Sequence, residues 1–239
     1  MSKDAIRVRI WDHLESEGLA RFPFPPHGRI PNFVDASDAA DRLADTDAWA
    51  AADTLKCNPD APQLPVRRRA LRDGKTLYMA VPRLSEPEPF LRLAPDEVAD
   101  IDDATTVSGS AKHGVPVDPE DMPHVDLIVA GSVAVDRAGT RVGKGEGFSD
   151  LEFAVLRGFD RVDDATTVAT TVHDSQVVPE GTIEPDRHDV PLDLVVTPTR
   201  TIGTEATAER PAGLYWDDIA AEKIESIPVL QRLQPGEST

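Results

Sequence analysis

The sequence predicts an α/β fold: a mostly parallel sheet flanked by helices. Three observations carry that reading. Short valine-rich runs recur, as in VDLIVAGSVAV at 125–135, TTVATTVHDSQVV at 166–178 and LDLVVTPTRTI at 192–202. Helical segments separate them. Alternation of buried strand and helix is the pattern of parallel β/α units with helices on both faces. The chain of 239 residues, 40% hydrophobic, holds enough apolar material for a real core, and we read residues 1–239 as a single domain.

Along the chain, residues 3 to about 17 place Ile6, Ile10 and Leu14 four apart with Trp11 alongside, the apolar face of a helix that Gly18 stops. RFPFPPHGRIPNF at 21–33 contains too much proline for a helix and predicts an extended, stiff arm pinned by Phe22, Phe24 and Phe33. Residues 35–55 are alanine-rich and predict a helix capped by Asp35 or Ser37. KTLYMAVPRL (75–84) reads as a buried strand ending at Pro82. In the polar stretch 85–124, PDEVADI reads as a short helix. Residues 125–135 form the clearest strand, LEFAVLRGF (151–159) a helix, and 166–178 and 192–202 two further strands. A C-terminal helix within 215–233 ends before Pro228. DDATTV occurs at 102–107 and again at 163–168, which two similar turns explain without a repeat.

Forty-three acidic residues against 25 basic ones give a net charge of −18, and Lys is scarce beside Arg and Asp. An acidic, lysine-poor surface suits concentrated salt, where self-repulsion is screened, and points to a halophile's cytoplasm. The same charge argues against nucleic acid as a main partner. Arg67, Arg68, Arg69 and Arg72 form the one basic cluster, read as a solvated element end. No run approaches the roughly 20 apolar residues of a membrane span, and the charged N-terminus is no secretory signal. The lone Cys57 forms no internal disulfide and reads as a small buried filler.

RVGKGEGFSD (141–150) alternates three glycines with Lys144 and Glu146 and opens the helix at 151. A glycine-rich turn at a helix start exposes N–H groups to an anion. Lys144 could neutralise a phosphate oxygen, and Asp150 could hold Mg²⁺. G-x-G-x-x-G fails because residue 148 is Phe, and the Walker pattern lacks its Lys-Ser/Thr. Spacing alone leaves a phosphate loop and a plain turn both open.

VDLIVAGSVAVDRAGTRVGKGEGFSD resembles the signature of 5-formyltetrahydrofolate cyclo-ligases (methenyltetrahydrofolate synthetases), where a hydrophobic strand leads to a G-x-G-x-G-Tyr-Tyr-Asp loop. HDSQVVPEGTIEPDRHDVPLDLVVTPT is similar to the family's second motif. IWDHLE, FPFPPHGRIPNF, GSVAV, GKGEGFSDLEFA and TVHDSQVV bring the chain closest to the methenyltetrahydrofolate synthetase domain-containing subgroup, over about residues 3–233.

The resemblance implies a three-layer cyclo-ligase sandwich that binds ATP, Mg²⁺ and a folate. In the implied reaction ATP phosphorylates the formyl oxygen of 5-formyltetrahydrofolate, N10 attacks the activated carbon, and phosphate leaves. The product is 5,10-methenyltetrahydrofolate. The alternative is a non-catalytic nucleotide- or folate-binding module of the same fold. Lys3 and Arg7 match the basic pair on the first helix that reaches the phosphates. Arg141, Gly143, Lys144, Gly145, Glu146 and Gly147 match the phosphate loop, with Lys144 and Phe148 at the catalytic positions. Asp150 and Asp189 match the magnesium ligands.

Phe148 and Ser149 replace the paired tyrosines, Leu151 replaces an arginine, and no glutamate lies between Glu17 and Glu86 to supply the family's folate-holding acid, although aspartates do. Other candidates have two readings each. His173-Asp174 is a ligand pair at a strand's end or a histidine satisfied by backbone. His188-Asp189 is a metal pair, or Asp189 acts alone. His27 and Arg29 face a ligand or pack the arm.

Overall fold

The computed structural model describes residues 1–204 and 209–235, so the ends of the 1–239 boundary lie partly outside the described residues. In chain order the strands are β1 (Ala20–Arg21), β2 (Asn32–Phe33), β3 (Thr54–Cys57), β4 (Thr76–Ala80), β5 (Phe90–Leu93), β6 (Val115–Val117), β7 (Leu127–Val129), β8 (Ala134–Val135), β9 (Arg141–Val142), β10 (Thr167–Thr171), β11 (Leu194–Val196) and β12 (Thr201–Gly203). The helices are α1 (Lys3–Ser16), α2 (Ala36–Ala44), α3 (Asp47–Ala51), α4 (Leu64–Arg72), α5 (Ile101–Ala104), α6 (Val107–His113), α7 (Phe148–Gly158), α8 (Ala221–Ser226) and α9 (Pro228–Leu233).

Eight strands form one sheet in the order β12-β11-β10-β7-β3-β4-β5-β6. Its centre, β11 to β4, is parallel; β12, β5 and β6 join antiparallel at the edges. Strand alternation sorts the side chains between two cores. Leu55, Leu77, Met79, Leu127, Val129 and Val196 face α2, α3 and α4. Tyr78, Ala80, Ile128, Val168 and Val195 face α7 and α9. Fully burying a side chain such as Leu77 or Val195 stabilises by about 1.5–3 kcal/mol, which is why both faces stay covered. Ser2 caps α1 by accepting from Ala5 N–H at 3.3 Å. Its buried Ile6, Ile10, Trp11 and Leu14 pack on Val133, Ala134 and Val142 of the β8–β9 ribbon.

Several local expectations are corrected. The alanine-rich segment is not one helix: Thr46 caps α3 through Trp49 N–H at 3.2 Å, and Thr54–Cys57, buried throughout, leaves as a central strand. The run 125–135 breaks at Gly131 into β7 and β8, and 192–202 is a hairpin of β11 and β12 around Pro198. PDEVADI is a turn, and the helix starts at Ile101, where Asp100 accepts from Asp102 and Asp103 N–H. The tail forms α8 and then α9, because proline is admissible at the first position of a helix though not inside one. Of the arm's three phenylalanines Phe33 is buried, whereas Phe22 and Phe24 are exposed. Within the basic run Arg67 is buried, donating to the carbonyls of Asn58, Asp60 and Thr105. Arg68, Arg69 and Arg72 pair with Asp102, Asp41 and Asp73, so the cluster is neutralised by local acids.

Candidate functional site

From β3 the chain order runs to β4 on one side of the sheet, then returns to β7 on the other side of β3. The carboxyl ends of β3 and β7 therefore flank a topological switch point, where parallel α/β sheets leave a crevice. A cavity of about 350 Å³ opens there. Asn58 and Asp60 after β3, Val81 and Pro82 after β4, and Gly131 after β7 form one side. Residues 143–144 and 146–150 form the other.

The glycine loop is held from beneath by buried charge. The Arg141 guanidinium donates to the Gly131 carbonyl at 2.9 Å and to both Asp150 oxygens at 2.6 Å. Asp150 also accepts from Val190 N–H at 3.1 Å. Burial opposes the charge on Arg141, but Asp150, with help from Asp189 and Glu152, outweighs it and holds the pKa above its ordinary value. On the outer side Arg7 Nε donates to the Gly143 carbonyl at 2.7 Å. Lys144 is exposed and reaches Glu146 at 2.8 Å. Gly147 caps α7 with φ +69°, a left-handed conformation that glycine adopts without strain. No hydrogen bond among the described residues uses the N–H groups of residues 143–150. These unspent donors, followed by the α7 dipole, make the loop receptive to oxyanions.

The opposite side supplies acceptors. Lys56 and Glu152, both buried, form an ion pair beneath the cavity. Asn58 donates to Glu152 at 3.2 Å and accepts from Gly131 N–H at 3.1 Å and the Ser149 hydroxyl at 3.2 Å, which fixes its amide. Asp60 is the residue that sequence reasoning missed. Its carboxylate accepts no hydrogen bond among the described residues. A Cβ on Gly131 would stand 2.9 Å from it, so glycine is needed for this close approach. Burial pushes the Asp60 pKa up; Lys144 pulls it part of the way back, and Glu152 adds to the rise. The available signal was Asn-Pro-Asp directly after a short buried strand.

The remaining candidates sort as follows. Lys3 lies on the same helical face as Arg7, but its ammonium is held by Asp186 at 2.7 Å and Asp189 at 2.5 Å. Burial opposes its charge, yet those two carboxylates raise its pKa. Ligand atoms of Asp186, His188 and Asp189 lie within 4.8 Å of one another. Lys3, Arg7 and Asp189 stand outside the 350 Å³ cavity, while Phe148 and Asp150 line it. His173 accepts from Ser175 N–H and caps a short turn, the backbone-satisfied reading. His27 binds Asp12 at 2.8 Å, packing the arm onto α1, while Arg29 lines a neighbouring cavity of about 620 Å³. Burial pushes the Cys57 thiol up to about 11, which makes it inert.

A three-layer α/β sandwich with an anion-receptive loop at its switch point is the class of protein these features define. The chain belongs to the 5-formyltetrahydrofolate cyclo-ligase family, whose model matches residues 2–198. It is 43% identical to a methenyltetrahydrofolate synthase domain-containing protein of Mus musculus, an alignment covering 99% of this chain and 64% of that protein. The chain thus spans less than two thirds of that curated relative. A 5-formyltetrahydrofolate cyclo-ligase of Mycolicibacterium smegmatis is 35% identical over 35% of this chain and 39% of its own. The solved structure of Aquifex aeolicus 5,10-methenyltetrahydrofolate synthetase superposes with a TM-score of 0.55 at 19% identity, over 87% of this chain and 96% of that one, and supports the fold. Among the described residues no helix is long and apolar enough to cross a membrane.

Proposed function

We propose that the chain closes 5-formyltetrahydrofolate to 5,10-methenyltetrahydrofolate, or runs a close variant of that reaction, using ATP and Mg²⁺. The observation that carries this reading is a run of amides at 143–150 that donate to no acceptor among the described residues, on a loop that lines a cleft together with the acid Asp60. ATP supplies the phosphoryl group that converts the formyl oxygen into a leaving group. The loop amides and Lys144 bind and neutralise the phosphate oxyanions, work that is mostly positioning and charge stabilisation. Phe148 provides an apolar wall. Asp60, whose carboxylate accepts no hydrogen bond among the described residues, accepts from the N–H donors of the folate and takes the place of the glutamate that other cyclo-ligases use. Arg7 supports the loop through the Gly143 carbonyl.

The carboxylates do not fit a resident magnesium in this arrangement. Both Asp150 oxygens are committed to Arg141, and Oδ2 of Asp189 to Lys3. A hard cation that keeps most of its water and binds phosphate can arrive with the nucleotide instead, and we assign Asp150 and Asp189 the role of orienting Arg141 and Lys3. The acidic, lysine-poor composition supports a cytoplasm rich in salt; loss of fold on dialysis into low salt is the expected sign.

The test is ATP-dependent growth of methenyl-folate absorbance from 5-formyltetrahydrofolate, in molar salt with Mg²⁺. Turnover supports the reading. A second reading, a non-catalytic binding module, rests on Phe148 and Ser149 standing where the enzymes have tyrosines. ATP binding without product selects it, and activity gained in Phe148→Tyr would identify the lost hydroxyl as the cause.

A further inference from the structure

The family model ends at residue 198, yet a side chain beyond that point touches the glycine loop. Lys223 of α8 donates from Nζ to the Glu146 carbonyl at 2.9 Å. The same ammonium sits 4.6 Å from the centre of the Phe148 ring, a favourable cation–π distance. A Cβ on Gly147 would come within 3.9 Å of it. Lys223 lines a smaller cavity of about 220 Å³ on the outer side of the loop, not the 350 Å³ cleft, and Gly147 stands between the two.

In a trans peptide the carbonyl and the following N–H point in opposite directions. Pinning the Glu146 carbonyl toward Lys223 turns the Gly147 N–H the other way, toward the cleft. Arg7 does the same at the loop's other end: it draws the Gly143 carbonyl toward α1 and leaves the Lys144 N–H free of it. Released from Lys223, the 146–147 peptide is free to rotate, because Gly147 has no Cβ to resist the change in φ. Its carbonyl oxygen could then face the place where an oxyanion binds.

We infer that Lys223 is a positioning residue of the phosphate loop, supplied from outside the residues that the family model matches, which keeps the 146–147 peptide turned so that its N–H serves the bound anion. The inference rests on the phosphate-loop reading above. Lys223 acts through the backbone, so its loss should weaken anion binding and spare the folate.

The experiment titrates ATP–Mg²⁺, inorganic tripolyphosphate and 5-formyltetrahydrofolate calorimetrically into wild type, Lys223→Met and Lys223→Arg. Methionine keeps an apolar stem on Phe148 and removes the donor; arginine restores a donor. Thermal unfolding confirms that each variant is folded. Lys223→Met should weaken ATP and tripolyphosphate about tenfold, the loss of a hydrogen bond to a charged group. Folate affinity should stay within about twofold, and Lys223→Arg should recover most of the deficit. If Lys223→Met binds ATP as wild type does, or loses ATP and folate in equal measure, the positioning role is overturned. If wild type itself binds neither ATP nor tripolyphosphate, the phosphate-loop reading fails, and the inference falls with it.

Discussion

Across the cleft, residues 143–150 offer amide donors and Lys144, whereas the ends of β3 and β4 offer Asp60, with Glu152 below. The first wall is backbone held in place by cations from three elements: Arg141 beneath, Arg7 on α1 and Lys223 on α8. The second is side chain held in place by sheet geometry, with Asn58 fixed on three partners. A wall of donors and a wall of acceptors, one cavity apart, suit opposite ends of the ligand pair proposed above. Phosphates suit the one, and N–H groups of a folate the other.

The contrast is broken most severely through the buried pair under the donor wall. Arg141→Met leaves the Asp150 carboxylate without its cation and the Gly131 carbonyl without its donor. Removing one partner of a buried ion pair costs about 3–5 kcal/mol, so the urea midpoint should fall steeply. An unchanged midpoint would show that loop geometry alone sustains this wall.

Smaller and more selective effects follow at the rims. Lys144→Ala should weaken ATP binding about tenfold and leave 5-formyltetrahydrofolate within about twofold, since an exposed cation contributes to ligand charge more than to folding. Asp60→Asn should show the reverse pattern by the same calorimetry. Equal loss of both ligands in both variants would erase the distinction between the walls.

The smallest expected effect is on stability. Burial raises the Asp60 pKa, so folding favours the protonated acid. Its ionisation costs stability as pH rises from the ordinary carboxylate range through the raised value, and the full cost applies above it. Asp60→Asn should therefore melt slightly higher than wild type at neutral pH, with the gap closing on acidification. A gap that widens toward low pH would mean the carboxylate is stabilised where it lies. Such an acid, costly to the fold and placed in a cleft, is the expected mark of function over stability.

The donor wall was largely legible in the sequence, because glycine spacing next to a helix start is a local signal. Two of its supports were less visible. Arg141 reads from sequence as a phosphate ligand, but only the fold shows it spent on Asp150 and Gly131. Lys223 is 76 residues beyond Gly147, and nothing near it in sequence announces the contact.

The acceptor wall was hidden for a different reason. Asp60 follows a four-residue strand containing Lys56, and the preceding alanines carry helical periodicity into it without a proline or glycine to mark the change. Only the pairing of β3 between β4 and β7 makes Lys56 a core position and Asp60 a cleft residue. The outer antiparallel strands β5 and β6 escaped notice too: Arg92 interrupts the apolar run of β5, and Pro116 sits in β6, the edge, where a strand tolerates proline. The rest of the parallel centre, β4, β7, β10 and β11, was legible because burial on both faces forces continuous apolar runs.

Cys57 closes β3 at the foot of this cleft, fully buried, its thiol held in the unreactive form. Being the chain's single sulfhydryl, it stays silent toward maleimide dyes while the sheet is shut. A cysteine engineered on the surface would take a fluorophore alone. The native sulfur would be labelled when the central strands part, an intrinsic reporter of that opening.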